Sequence, residues 1–202
     1  MTHRERFIRT LRCEPTEGQV PTFELVFFLT MEAFGKVHPS QRYYEQWNQM
    51  SQNERNLHMN EMAQIYIDTA ERYGHSAIFV HCNPGDYDNT KWLLETIREK
   101  TGDEYFIMMH GDSTWAIPDG DNMMDFAVQM YEEPEVPHEI SARRTEKALD
   151  MARRLHEEGH LLDGFALCSD YCFNTNPFFN EESFDELIVP YLKEIITEYR
   201  KM

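Results

Sequence analysis

Positive charge is scarce in this chain of 202 residues: 19 lysines and arginines face 36 aspartates and glutamates, for a formal net charge of −17. Nucleic acids and anionic membrane surfaces recruit proteins through cationic footprints, so this balance argues against both as partners. Long apolar runs are missing too. No stretch approaches the roughly 18 apolar residues needed to cross a bilayer. The opening Met1–Arg12, with His3 and several arginines, lacks the apolar segment of a signal peptide. Cysteine is sparse: Cys13, Cys82, Cys168 and Cys172 form no Cys-x-x-Cys pair. A disulfide framework is therefore not indicated, and reduced thiols in a cytoplasmic protein fit best. Also absent are the glycine-rich dinucleotide loop, the Walker loop, Gly-x-Ser-x-Gly and His-Glu-x-x-His. Nucleotide binding, serine hydrolysis and zinc-peptidase chemistry thus lose their usual signatures.

What is present can build a core. Hydrophobic residues make up 41% of the chain and aromatics 13%, well outside the composition of disordered chains. Two helix starts are explicit. Thr2 with Glu5, and Ser51 with Glu54, have the spacing of capping boxes, in which hydroxyl and carboxylate satisfy open backbone N–H groups. The first predicts a helix to about Leu11. The second opens a longer one with Leu57, Met62, Ile65 and Ala70 on its apolar stripe. Further helices are predicted over Asn89–Lys100, Asn122–Tyr131 and Ser141–Glu158, closed by Gly102, Pro134 and Gly159, and from Glu181 onwards. The last carries Phe184, Leu187, Ile188, Leu192 and Ile195 on one face.

Four short apolar runs alternate with these helices: Val20–Phe28, Ala77–His81, Tyr105–His110 and Leu162–Cys168. Such alternation predicts buried parallel strands joined by helical crossovers, hence an α/β fold. Residues 1–202 read as a single domain of about four parallel βα units behind an N-terminal helical segment. A closed (β/α)8 barrel needs eight strands and about 250 residues, so a partial barrel is expected. Its open sheet edges would be available for self-association.

In parallel α/β folds, binding groups collect where strands end at their carboxyl termini. The first run offers Glu24 and Phe28; the second ends at His81, followed by Cys82. The third ends in His110, Gly111 and Asp112, and the fourth in Cys168, Ser169, Asp170, Tyr171 and Asn174. We take His81, His110 and Asp170 as candidate catalytic residues, the imidazoles because they titrate near neutral pH. Glu24, Phe28, Asp112, Tyr171 and Asn174 are candidate ligands for a small-molecule substrate. Each also has a plain structural reading, since polar residues are expected wherever strands leave a core. Cys168 and Cys172 are weak metal evidence, because their spacing spans a strand–loop junction.

Several stretches together resemble the uroporphyrinogen decarboxylase and corrinoid-dependent methyltransferase superfamily. They are Arg4-Glu5-Arg6-Phe7 with Leu11 and Glu14, Val20-Pro21, Tyr73 through Val80, and Gly111-Asp112. The series continues through Gly164 to Asp170, Asn176-Pro177-Phe178 and Phe184 to Lys193. The resemblance implies the N-terminal half of a (β/α)8 barrel, ending after the fourth strand and its helix. Decarboxylases of that family carry arginines after the first strand and an aspartate ending the second. Here the first region has no arginine, and His81 falls about where the aspartate would be. Uroporphyrinogen, whose many carboxylates demand cationic clamps, is thus not the expected substrate. The resemblance implies instead a methyltransferase-like protein, with a corrinoid protein as a partner and zinc and a corrinoid as cofactors of a full-length relative. The zinc ligands of thiol-using relatives lie on later strands, so none is assigned here. Two alternatives remain: decarboxylation of a smaller acid, and a non-enzymatic half-barrel that binds a partner.

Overall fold

A computed structural model describes residues 1–25, 33–36 and 46–202. Helix α1 (His3–Leu11) and helix α2 (Gln52–Tyr73) both start on the expected capping boxes, with hydroxyl and glutamate each bonding the other's backbone N–H. The second ends on Gly74, whose φ of 65° lies in the left-handed region that glycine tolerates without cost. Strand β1 (Ala77–Val80) follows, then α3 (Tyr87–Thr101), β2 (Phe106–His110), α4 (Met123–Glu132) and α5 (Glu135–Glu157). Strand β3 (Gly164–Ala166) precedes α6 (Glu181–Leu187) and α7 (Val189–Tyr199). A short 3-10 turn covers Trp47–Gln49.

The strands form one sheet in the order β1-β2-β3. β1 and β2 run parallel, with Ala77 opposite Phe106 and Val80 opposite Met109. The α/β class is therefore as expected, with three strands among the described residues. Residues 20–25 of the first apolar run form no strand, and the rest of that run, including Phe28, lies outside the described residues. Two helix boundaries also differ. α5 starts at Glu135 because Pro137 falls within its first turn, where a missing N–H costs nothing. The final helix is divided at Ile188, next to Pro190, whose ring cannot continue an unbroken ladder.

The chain divides into two compact units. Unit 1 comprises Met1–His110 and Glu158–Gly164; unit 2 comprises Gly111–Glu157 and Phe165–Met202. In unit 1 every residue of β1 is buried, together with Met59, Met62, Tyr66, Leu93, Leu94 and Ile97 from α2 and α3. Phe7 of α1 joins this core, its ring centroid 4.8 Å from that of Phe106. Asp163, the residue before β3, ties the unit together. Its Oδ1 accepts from Arg4 Nε and Nη2 at 2.8 and 2.7 Å. Its Oδ2 accepts from Arg98 Nη2 at 2.6 Å and from the Ile107 backbone N–H at 2.8 Å.

Unit 2 is built around Phe126, Phe179, Leu187 and Ile188, with Trp115, Tyr171, Phe178 and Phe184 packed on them. Gly111 opens this unit in a slot between Phe165 and Tyr199, whose rings stack at 4.2 Å. A Cβ at position 111 would stand 2.7 Å from both Phe165 Cβ and Tyr199 Cε2, so no larger residue fits unless its surroundings shift.

Candidate functional site

Parallel register brings two histidines together in unit 1. His110 closes β2 and His81 follows β1, so the Val80–Met109 pairing makes them neighbours at the carboxyl ends of adjacent strands. Their ring centroids are 5.2 Å apart, and both rings meet Phe79 edge-on, at 4.7 and 4.9 Å. The His81 backbone is clamped from α2: the Tyr66 hydroxyl donates to its carbonyl at 2.9 Å and accepts from its N–H at 2.6 Å. His81 Nε2 lies 3.3 Å from the Leu25 carbonyl oxygen. That oxygen only accepts, so the bond selects the Nε2–H tautomer and leaves the neutral ring's lone pair on Nδ1.

A cleft of about 340 Å3 opens at these strand ends, lined by Val80, His81, Cys82, Asn83, Gly85, Thr90, Met109 and His110. None of these residues is cationic. Burial, reinforced by the neighbouring His110, holds the His81 pKa below its ordinary value, although the Leu25 carbonyl pulls the other way. Burial pushes the Cys82 thiol up to about 12 despite a hydrogen bond with Thr90, so at neutral pH this sulfur is a thiol.

The depressed His81 pKa fixes the sign of a pH effect. Unfolded, this imidazole takes up its proton near its ordinary value of about 6.5, whereas folded it resists until lower pH. Its contribution to stability is therefore complete above that value and is lost as the pH falls from there towards the folded pKa. Urea midpoints measured at pH 7.5 and 5.5 should fall more steeply for the wild type than for His81→Gln. Equal slopes would contradict the assignment.

The remaining sequence-derived residues separate into groups. Glu24 belongs to unit 1 and faces His75, with Oε2 and Nε2 3.8 Å apart. At that separation an ion pair would lower the glutamate and raise the histidine. Burial dominates instead, moving Glu24 up and His75 down, so both lean towards their neutral forms. Asp112, Asp170, Tyr171 and Asn174 all belong to unit 2. Asp112 organises the loop after β3: its Oδ2 accepts from the Cys168 N–H at 2.7 Å, and its Oδ1 from the Ser169 hydroxyl and N–H at 2.8 and 3.2 Å. The Tyr171 and Thr114 hydroxyls are 2.6 Å apart. Asp170 and Asn174 are exposed, and the Asp170 carbonyl accepts from Ile117 N–H at 3.0 Å. Phe28 lies outside the described residues.

Sequence reading missed Tyr66 and Phe79 as supports of the strand-end pair, and Thr90 as the partner of Cys82. Tyr66 lies on the same helical stripe as Met59 and Met62 and reads as core; its hydroxyl at position 66 is the one available hint. All four cysteines are free thiols. Among the described residues, no helix is long and apolar enough to cross a membrane.

Fold and cleft together define an α/β protein with two histidines at the carboxyl ends of neighbouring parallel strands. No protein-family model, curated protein or solved structure matches the chain.

Proposed function

We propose that the chain carries part of a (β/α) barrel of the uroporphyrinogen decarboxylase and corrinoid-methyltransferase type, and that its strand-end histidines serve methyl transfer from a corrinoid to a small thiol. The pairing of His81 and His110 at 5.2 Å, in a cleft whose described lining has no lysine or arginine, carries this reading. Such a lining suits a small acceptor and offers nothing to a polycarboxylate. In the proposed step His81, kept neutral by its surroundings, accepts the thiol proton. A methyl-corrinoid brought to the cleft would supply the methyl group to this sulfur and would itself retain the electron pair of the broken bond. The barrel topology, the corrinoid partner and a cytoplasmic location belong to this same proposal.

Decarboxylation of a small acid is the second reading, favoured by Phe79 against both imidazoles, since an apolar wall destabilises a carboxylate more than the carbon dioxide it releases. One experiment tests both. The chain is incubated with methylcobalamin and a small thiol, and loss of the methyl–cobalt absorption is followed. Thiol-dependent demethylation that falls roughly tenfold or more in His81→Ala supports methyl transfer. Demethylation no faster than without protein would overturn it, and carbon dioxide release from added short-chain acids would favour the second reading.

A further inference from the structure

We infer that unit 2 holds a separate binding site for a small organic anion with a short apolar body. Arg144, Lys147, Ala148 and Met151 lie on α5 at the i, i+3, i+4, i+7 spacing that places residues on one helix face. The helix buries a different stripe, containing Ser141, Thr145, Leu149, Ala152 and Leu155. Its second stripe therefore borders a cleft of about 380 Å3, whose other wall is Asp112, Ser113 and Thr114. That volume is within the range of small-molecule sites.

Charge and geometry define the ligand. In a chain of net charge −17, neither Arg144 nor Lys147 has a carboxylate partner among the described residues, as is also the case for Arg143, Lys193 and Arg200, but Arg144 and Lys147 are the two that line this cleft. Arg144 is held in place, its guanidinium carbon 4.2 Å from the centre of the Trp115 ring, which leaves its edge N–H groups for a planar acceptor. On the facing wall Thr114 and Ser113 are buried hydroxyl residues fixed by Tyr171 and Thr145 at 2.6 and 2.9 Å. The one acidic side chain among the described lining residues, Asp112, is occupied by the Cys168 and Ser169 donors. From Arg144 to Met151 the helix rises roughly 10 Å, about the length of a six-carbon acid. A cationic end and an apolar end on one stripe select a carboxylate or phosphate headgroup with a short hydrocarbon tail.

Titration of the isotope-labelled chain with hexanoate, followed by amide and indole NMR signals, tests this. Saturable shifts of Thr114, Ala148 and the Trp115 indole are expected, with affinity falling roughly tenfold in Arg144→Gln/Lys147→Gln. Both side chains are exposed, so the variant's remaining spectrum should be unchanged. Hexanol shows whether the tail suffices, inorganic phosphate whether charge alone does, and hexyl phosphate distinguishes the two headgroups. Tighter binding of either hexyl anion than of phosphate or hexanol supports the site. Absence of saturable shifts, equal shifts with hexanol, tighter binding of inorganic phosphate, or unchanged affinity in the double variant would overturn it.

Discussion

Replacing Asp163 with alanine is expected to destabilise unit 1 by about 3–5 kcal/mol, the usual result of removing one partner from a buried ion pair. The Asp163 side chain is only 6% exposed and that of Arg98 only 11%, so water cannot take over the lost bonds. Four donors lose their acceptor at once: Arg4 Nε and Nη2, Arg98 Nη2 and the Ile107 N–H. Arg4, at 30% exposure, can turn to solvent, and its loss counts for less. Arg98, in the last turn of α3, cannot: its side chain is mostly buried, its Nε has no partner, and Nη1 alone keeps acceptors, the Gly102 and Tyr105 carbonyls. The cost is thus that of a stranded guanidinium more than of the attraction itself. Urea unfolding monitored by tryptophan fluorescence should show the loss in full for Asp163→Ala. Part of it should return in Asp163→Ala/Arg98→Met, which removes the stranded charge and keeps the apolar stem. A loss below about 1 kcal/mol, the range of exposed pairs, would refute the argument.

Phe79→Ala should be comparably severe, at about 3–5 kcal/mol, as for other large aromatic residues truncated in cores. Phe79 is fully buried in the middle of β1 and meets Phe23 at 6.0 Å as well as the two imidazoles. Its removal leaves a cavity directly beneath the candidate site. A second effect separates this position from an ordinary core residue. Because burial is the largest influence lowering the His81 pKa, loosening its apolar wall should move that pKa back up towards the ordinary imidazole value. Titration of the His81 ring protons by NMR should show the rise in Phe79→Ala and most of the original depression in Phe79→Leu. An unchanged titration in the alanine variant would mean that Phe79 packs on the ring without desolvating it.

Local signals in the sequence were strong wherever one short segment settles the matter alone. Thr2 with Glu5 and Ser51 with Glu54 form their capping boxes because three residues of separation is all the geometry needs. Gly74 closes α2 for a similarly local reason, its left-handed φ. Proline was harder to read: Pro137 marks a loop by propensity yet sits in the first turn of α5, because the rule for proline depends on where the helix starts.

The sequence by itself determined the α/β class, the apolar runs that become β1, β2 and β3, and the placing of His81 and His110 at strand ends. Tertiary structure alone decided that those two rings lie side by side, since this depends on the parallel register of β1 with β2. It also decided that Tyr66 clamps His81, that Asp163 gathers Arg4 and Arg98, and that Asp112 serves the loop after β3. These pairs are separated by between 15 and 159 positions along the chain. Propensity and periodicity act over a few residues, whereas register, burial and the loss of water that shifts a pKa arise only when distant segments meet.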